Sequence, residues 1–202
     1  MLIVFCHACF IHTEYKIITK LSTFLDYLWF HLVIRLGWRW WGLALLAFAV
    51  PIFVWRAHGC MRGTEVKKAV AQGLLLGYLV ILLASAVFTR PTWQDNSFLL
   101  DFGDKLYDVL LGGKGLSPEN VVNMLMLVPV GYLLPITMGW SAAPVLFTCF
   151  ALTVGVESMQ IALNRGWFEL ADIVLNSFGA VLGYAICVIL HRRHIYHKLK
   201  ET

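Results

Sequence analysis

Charge is what this sequence has least of: Asp, Glu, Lys and Arg together make up 14% of its 202 residues, against about 25% in an ordinary soluble domain. A chain so poor in charge has no solvated surface for a sizeable water-soluble domain. Histidine is missing where catalysis would need it, because none of the seven lies between Asn123 and Leu190. That gap argues against a Ser, His, Asp hydrolase built on Ser158 or Ser177. The five cysteines are scattered, and the CxxC spacing of Cys6 and Cys9 has no second pair, so zinc or redox chemistry there has little support. Glycines at 112, 113 and 115 lack the preceding strand of a phosphate loop and read as a flexible joint. No basic region precedes the first apolar run, MLIVFCHACFIH, and no clear small-residue cleavage site follows it, so the start is expected to be retained.

What fills the sequence instead is hydrocarbon. Hydrophobic residues account for 59% of it, with 8 Trp and 13 Phe, and mean hydropathy is +0.73. This is the composition of an all-helical polytopic membrane protein. The net charge of +4 does not indicate nucleic acid, because the basic residues flank the apolar runs as membrane-surface anchors. Five spans are predicted: 40–55, bracketed by tryptophans and holding Pro51; 70–88, free of charge; then 120–140, 144–163 and 171–190.

The remaining segments follow from these. Residues 1–39 form an N-terminal part in which 21–33 place Leu21, Phe24, Leu25, Leu28, Trp29, Leu32 and Val33 on one helical face. That pattern predicts an amphipathic interfacial helix, the alternative being a further short span. The first two spans with their basic loop occupy 40–88, and 89–119 is a polar extracytoplasmic loop whose middle, 98–111, suits a short amphipathic helix. The core is 120–190, and 191–202 is a basic cytoplasmic tail. His191, His194 and His197 in that tail have helical spacing, but among so many Arg and Lys they read as an anchor rather than a metal site. The basic count ties between the two faces; crowding near helix ends in the 56–68 loop and the tail places the C-terminus inside.

The core carries the polar residues that such segments ordinarily avoid. Asn123, Glu157, Gln160, Asp172 and Asn176 lie in or at the edge of spans, and intramembrane carboxylates mark functional sites by default. At a rise of about 1.5 Å per residue all five fall at the outer end of three antiparallel helices. Glu157, Gln160 and Asn164 share a face by their i, i+3, i+7 spacing. Asp172, Asn176, Gly179 and Gly183 share another, where GxxxG spacing allows close approach. Arg165, in the joining loop, is placed to pair with Glu157, Glu169 or Asp172. The plainer reading makes the same residues interhelical glue.

The linked pattern N-x5-P-x-G-x3-P (Asn123, Pro129, Gly131, Pro135), E-x2-Q (Glu157, Gln160) and R…D-x3-N-x2-G-x3-G-Y (Arg165, Asp172, Asn176, Gly179, Gly183, Tyr184) resembles the VanZ-like family of bacterial membrane proteins. The resemblance covers roughly 120–190, and Arg90 stands where members often carry an arginine. It implies a multi-pass protein of the bacterial cytoplasmic membrane whose family namesake confers low-level teicoplanin resistance, with no enzymatic activity firmly assigned and no cofactor. Position 171 is Ala where members often have an acid, and Glu169 stands where Asp is common, which weakens any mechanism needing three carboxylates, such as a metal site. The expected ligand-binding set is Asn123, Glu157, Gln160, Arg165, Asp172, Asn176 and Arg90, lining an outward-facing pocket. Its expected partners are membrane lipids, a lipid-linked cell-wall precursor or a lipoglycopeptide. Two alternatives stand beside this: an enzyme remodelling a lipid or lipid-linked sugar with Glu157 and Asp172, and a structural subunit of a membrane assembly.

Overall fold

A computed structural model describes residues 19, 21–26, 30, 36–59, 63–92, 98–99, 118–166 and 168–200. Among these, five helical stretches are long and apolar enough to cross a membrane: Gly37–Ala57, Glu65–Phe88, Pro118–Met138, Ala142–Ala162 and Leu170–His191. The all-α polytopic architecture is therefore the one expected. The helices are α1 (Gly37–Ala57), α2 (Thr64–Leu83), α3 (Pro118–Met126), α4 (Val128–Met138), α5 (Ala142–Ala162) and α6 (Leu170–Lys200). Of the N-terminal amphipathic segment, residues 21–26 are helical; most of the rest lies outside the described residues. Of the helix expected over 98–111, residues 100–111 lie outside the described residues. Phe98–Leu99 (β1) is extended and pairs in parallel with Phe168–Glu169 (β2), Phe98 opposite Phe168.

Glycine decides how the helices meet. A side chain on Gly179 would run into the Met124 carbonyl, one on Gly183 into the Val128 carbonyl, and one on Gly131 into the Ala180 carbonyl. The α3–α4 span and α6 are thus in backbone contact, the arrangement small residues permit in membranes. Both members of the first two pairs advance by four residues, so the two spans run parallel. A second contact of this kind joins α1 to α2. Gly73 faces the Phe48 carbonyl, and a Cβ on Gly77 would stand 2.9 Å from the Ala44 carbonyl. Only 11% of α1 is buried. Leu45, Leu46, Val50 and Phe53 on it are all more than half exposed, so α1 is a peripheral helix with a broad lipid-facing surface.

The core lies between α2, α4, α5 and α6, where Leu82, Val87, Leu127, Val130, Leu134, Val145, Cys149, Val156 and Ala180 are buried together. Two irregularities shape it. The third span breaks at Leu127, whose φ, ψ of −97° and 2° are not helical, and α4 restarts with Pro129 in its first turn. Proline is suited to a helix start because its missing N–H has no helical partner to lose there. Across the break the Tyr78 hydroxyl donates to the Met126 carbonyl at 2.6 Å, tying α2 to the joint. The second irregularity is at the end of α2, which widens into a π turn over Ala84–Phe88.

Candidate functional site

The polar residues of the core gather at the end of the bundle where α2 finishes and α3 and α6 begin. Contacts between neighbouring helices fix their heights. Asn176 Nδ2 donates to Thr153 Oγ1 at 2.9 Å, and α5 and α6 run antiparallel, so one turn beyond that bond Glu157 and Asp172 stand level with each other. Met124 abuts Gly179, which puts Asn123 within about 3 Å of the height of Asn176. Gln160 lies about 10 Å from Thr153 along α5, at the mouth. All five helix-borne residues are packed rather than open: Asn123 is 6% exposed, Glu157 2%, Gln160 2%, Asp172 5% and Asn176 1%. The structure thus brings the sequence-predicted residues to one end of the bundle, in a closed cluster.

Three of them hold backbone ends in place. Glu157 Oε2 accepts a hydrogen bond from the Glu169 N–H at 3.1 Å, the residue just before α6. A helix N-terminus carries unpaired N–H groups and a partial positive charge, so Glu157 caps α6 from α5. Gln160 Nε2 donates to the Ala86 carbonyl at 3.0 Å, an oxygen of the π turn. Arg165 donates through one guanidinium nitrogen to the carbonyls of Phe88 at 2.5 Å and Arg90 at 2.7 Å. A cation on the last carbonyls of a helix satisfies them and complements the dipole. The partner of Arg165 is therefore the end of α2, where the sequence suggested an acid.

The chain reaches that arrangement through a tight helix end. Asn164 adopts a left-handed φ of 55°. The Arg165 N–H returns to the Gln160 carbonyl at 2.7 Å and the Asn164 N–H to Ile161 at 3.0 Å. This is a Schellman ending with asparagine in the position glycine usually fills. Asn164 consequently leaves the helical face that i, i+3, i+7 spacing assigned to it. Arg90 is the other cation at this mouth. A side chain on Gly166 would meet Gln160 Oε1 at 3.3 Å and Arg90 Nη1 at 3.4 Å, so the small residue at 166 makes room for the Arg90 guanidinium beside Gln160.

The remaining asparagines are less fully matched. Asn123 Nδ2 and Asn176 Oδ1 are buried and have no hydrogen-bond partner among the described residues. Thr153, buried at 0% exposure, belongs to the same cluster, and sequence reasoning passed over it. Its i−4 and i−7 relation to Glu157 and Gln160 was the available signal. Asn120, also buried, opens the span predicted over 120–140 and is not among the expected site residues. No group of three or more His, Cys, Asp or Glu side chains able to hold a metal occurs among the described residues.

Neither the curated proteins nor the solved structures contain a match to this chain. The profile of the VanZ/LLP1 family matches residues 43–191, a longer stretch than the 120–190 core on which the motifs lie. It takes in most of α1 and all of α2, and with α2 the π turn and Arg90. With the match extending over most of its length, and with the five membrane-crossing helices described above, the chain belongs to the VanZ/LLP1 family.

Proposed function

We propose that the polar end of this bundle is a ligand site facing out of a bacterial cytoplasmic membrane, and that through it the protein reduces the access of teicoplanin-like lipoglycopeptides to cell-wall precursor. In this reading Glu157, Gln160 and Arg165 form the frame that holds the ends of α2 and α6. Asn123, Asn176 and Asp172, with Arg90 at the mouth, form the working face, which takes a polar headgroup, a lipid-linked precursor or part of the antibiotic. One observation carries it: the unmatched Asn123 Nδ2 and Asn176 Oδ1. A buried polar atom without a partner costs about 1–3 kcal/mol, so residues serving only as glue would be expected to satisfy one another. These two retain one donor and one acceptor for something else.

The test is a replacement that separates binding from folding. Asn123→Leu removes the unmatched amide and is expected to leave stability unchanged or raised. Teicoplanin susceptibility is measured in a sensitive Gram-positive host expressing wild type or Asn123→Leu at equal membrane abundance. Protection by the wild type that disappears in the variant supports the site; equal protection by both removes Asn123 from it. No protection from abundant wild type defeats the resistance reading.

A second reading draws on the level placement of the two buried carboxylates, Glu157 and Asp172. Such a pair suits general acid and base work on a lipid or lipid-linked sugar. It predicts altered lipid composition in wild-type cells that reverts in Asp172→Asn.

A further inference from the structure

A different face of the molecule carries a second site. Where α1 crosses α2, Gly73 and Gly77 draw the backbones together and leave an apolar groove of about 380 Å³, lined by Trp41, Leu45, Phe48, Leu74, Ile81 and Leu133 among others. The groove is open to the lipid side, since Leu45 is 67% and Leu74 49% exposed. Close packing is the rule in protein interiors, and a void of this size forfeits the dispersion contacts of its walls. In a bilayer the natural filling is a chain of methylenes.

Two further features define the chain's bearer. Along α1 the groove stripe of Trp41, Leu45 and Phe48 continues by helical spacing to Trp38. There the Arg39 guanidinium carbon stands 5.8 Å from the centre of the Trp38 ring, and Trp38 is 80% exposed. Tryptophan and arginine together are headgroup-level residues. From Trp38 to Phe48 the rise is about 15 Å, which is half of the roughly 30 Å hydrocarbon core. The lined stretch itself, Trp41 to Phe48, rises about 10 Å and so lies within one leaflet, and Arg39 stands two residues beyond its Trp41 end.

We propose that this groove binds one acyl chain of an anionic phospholipid of the surrounding membrane, with the phosphate at Arg39 and the chain running from Trp41 to Phe48. The groove is walled by α1, α2 and α4 and shares no residue with the polar cluster, while Trp40 beside its Trp41 end stacks on Phe88, whose carbonyl accepts from Arg165. The groove is a fixed lipid position in contrast to the exchanging lipid that covers Leu46 or Phe53.

The experiment uses the full-length protein in phosphatidylcholine vesicles containing a trace of phosphatidylglycerol with a photoactivatable diazirine on its acyl chain, with labelled peptides read by mass spectrometry. The proposal expects labelling of the stretches holding Leu45 and Leu74 that falls about fivefold further when a share of the phosphatidylcholine is replaced by unlabelled phosphatidylglycerol than when the same share is replaced by zwitterionic phosphatidylethanolamine, the preference one arginine near a net-anionic headgroup supplies. Leu45→Trp and Leu74→Trp, which fill the groove at exposed positions, should abolish that labelling, while Leu46→Trp should not. Arg39→Gln should keep the labelling and lose the preference. Labelling that is as strong around Phe53 as around Leu45, or that survives both filling variants, overturns the site. Displacement that is equal for both lipids in the wild type overturns the role of Arg39 and with it the anionic ligand.

Discussion

Gly179 offers the sharpest test of how the bundle is held. A methyl group added there would be driven into the Met124 carbonyl and would stand 3.6 Å from Val128 Cγ2. The obstacle is backbone, so no side-chain rotation relieves it; α3 and α6 must move apart. Overpacking of this kind costs about 1–3 kcal/mol. The same substitution at Gly155 of α5 meets nothing within 4 Å, and there alanine gains about 0.5–1 kcal/mol in a helix. Both substitutions carry the same helix-propensity gain, so Gly179→Ala should be less stable than Gly155→Ala by about 1–3 kcal/mol, the cost of the clash. Reversible unfolding by dodecyl sulfate in mixed micelles, followed by circular dichroism, measures it. Equal midpoints for the two variants would refute the backbone contact between the third span and α6. Because the contact sets the height of Asn123 against Asn176, those two amides would then have no fixed relation at the polar end.

Other consequences follow from single bonds. Glu157→Leu leaves the Glu169 N–H buried without its acceptor and should cost about 1–3 kcal/mol in the same assay, whereas Glu157→Gln keeps an acceptor oxygen and should cost less than half as much. Arg165→Leu strips the donor from two carbonyls at the end of α2 and should raise hydrogen exchange over residues 84–92 without changing it in α4. Thr153→Val removes the oxygen that Asn176 Nδ2 donates to and should destabilise the bundle by about 0.6–1.7 kcal/mol, the range of interhelical hydrogen bonds in membranes. Thr153→Ser should be near neutral.

The spans were legible because hydrocarbon thickness dictates a length of apolar sequence and little else in the chain competes with it. The pair Gly179 and Gly183 was legible too, since four-residue spacing puts both on one helix face. Gly73 and Gly77 carry the same spacing within an apolar run, so the α1–α2 contact was written as plainly and simply not drawn out. Gly131 was not decidable, because a lone glycine gives no face until its neighbour is known. The polar end was legible as a set of residues at one end of the bundle, but their division of labour was not. Arg165 could be assigned to an acid from charge alone; only the Schellman turn at Asn164 and the π turn at Ala84–Phe88 reveal that its partners are carbonyls. The π turn is met by the tertiary contacts of Gln160 and Arg165, which no local propensity encodes, whereas the Schellman turn had a local signal in Asn164 that the face assignment overrode. The strand at Phe98–Leu99 was missed for a related reason: two residues of a parallel ladder leave no periodic signal against an amphipathic pattern.

The claim that the polar end limits antibiotic access is most directly tested by counting bound antibiotic. Fluorescent teicoplanin bound per cell is measured in a sensitive Gram-positive host carrying empty vector, wild type or Asn123→Leu, with equal membrane abundance of the two proteins. The account predicts less bound teicoplanin with the wild type than with vector, and a return to the vector level with Asn123→Leu. Equal binding in wild-type and vector cells would contradict it.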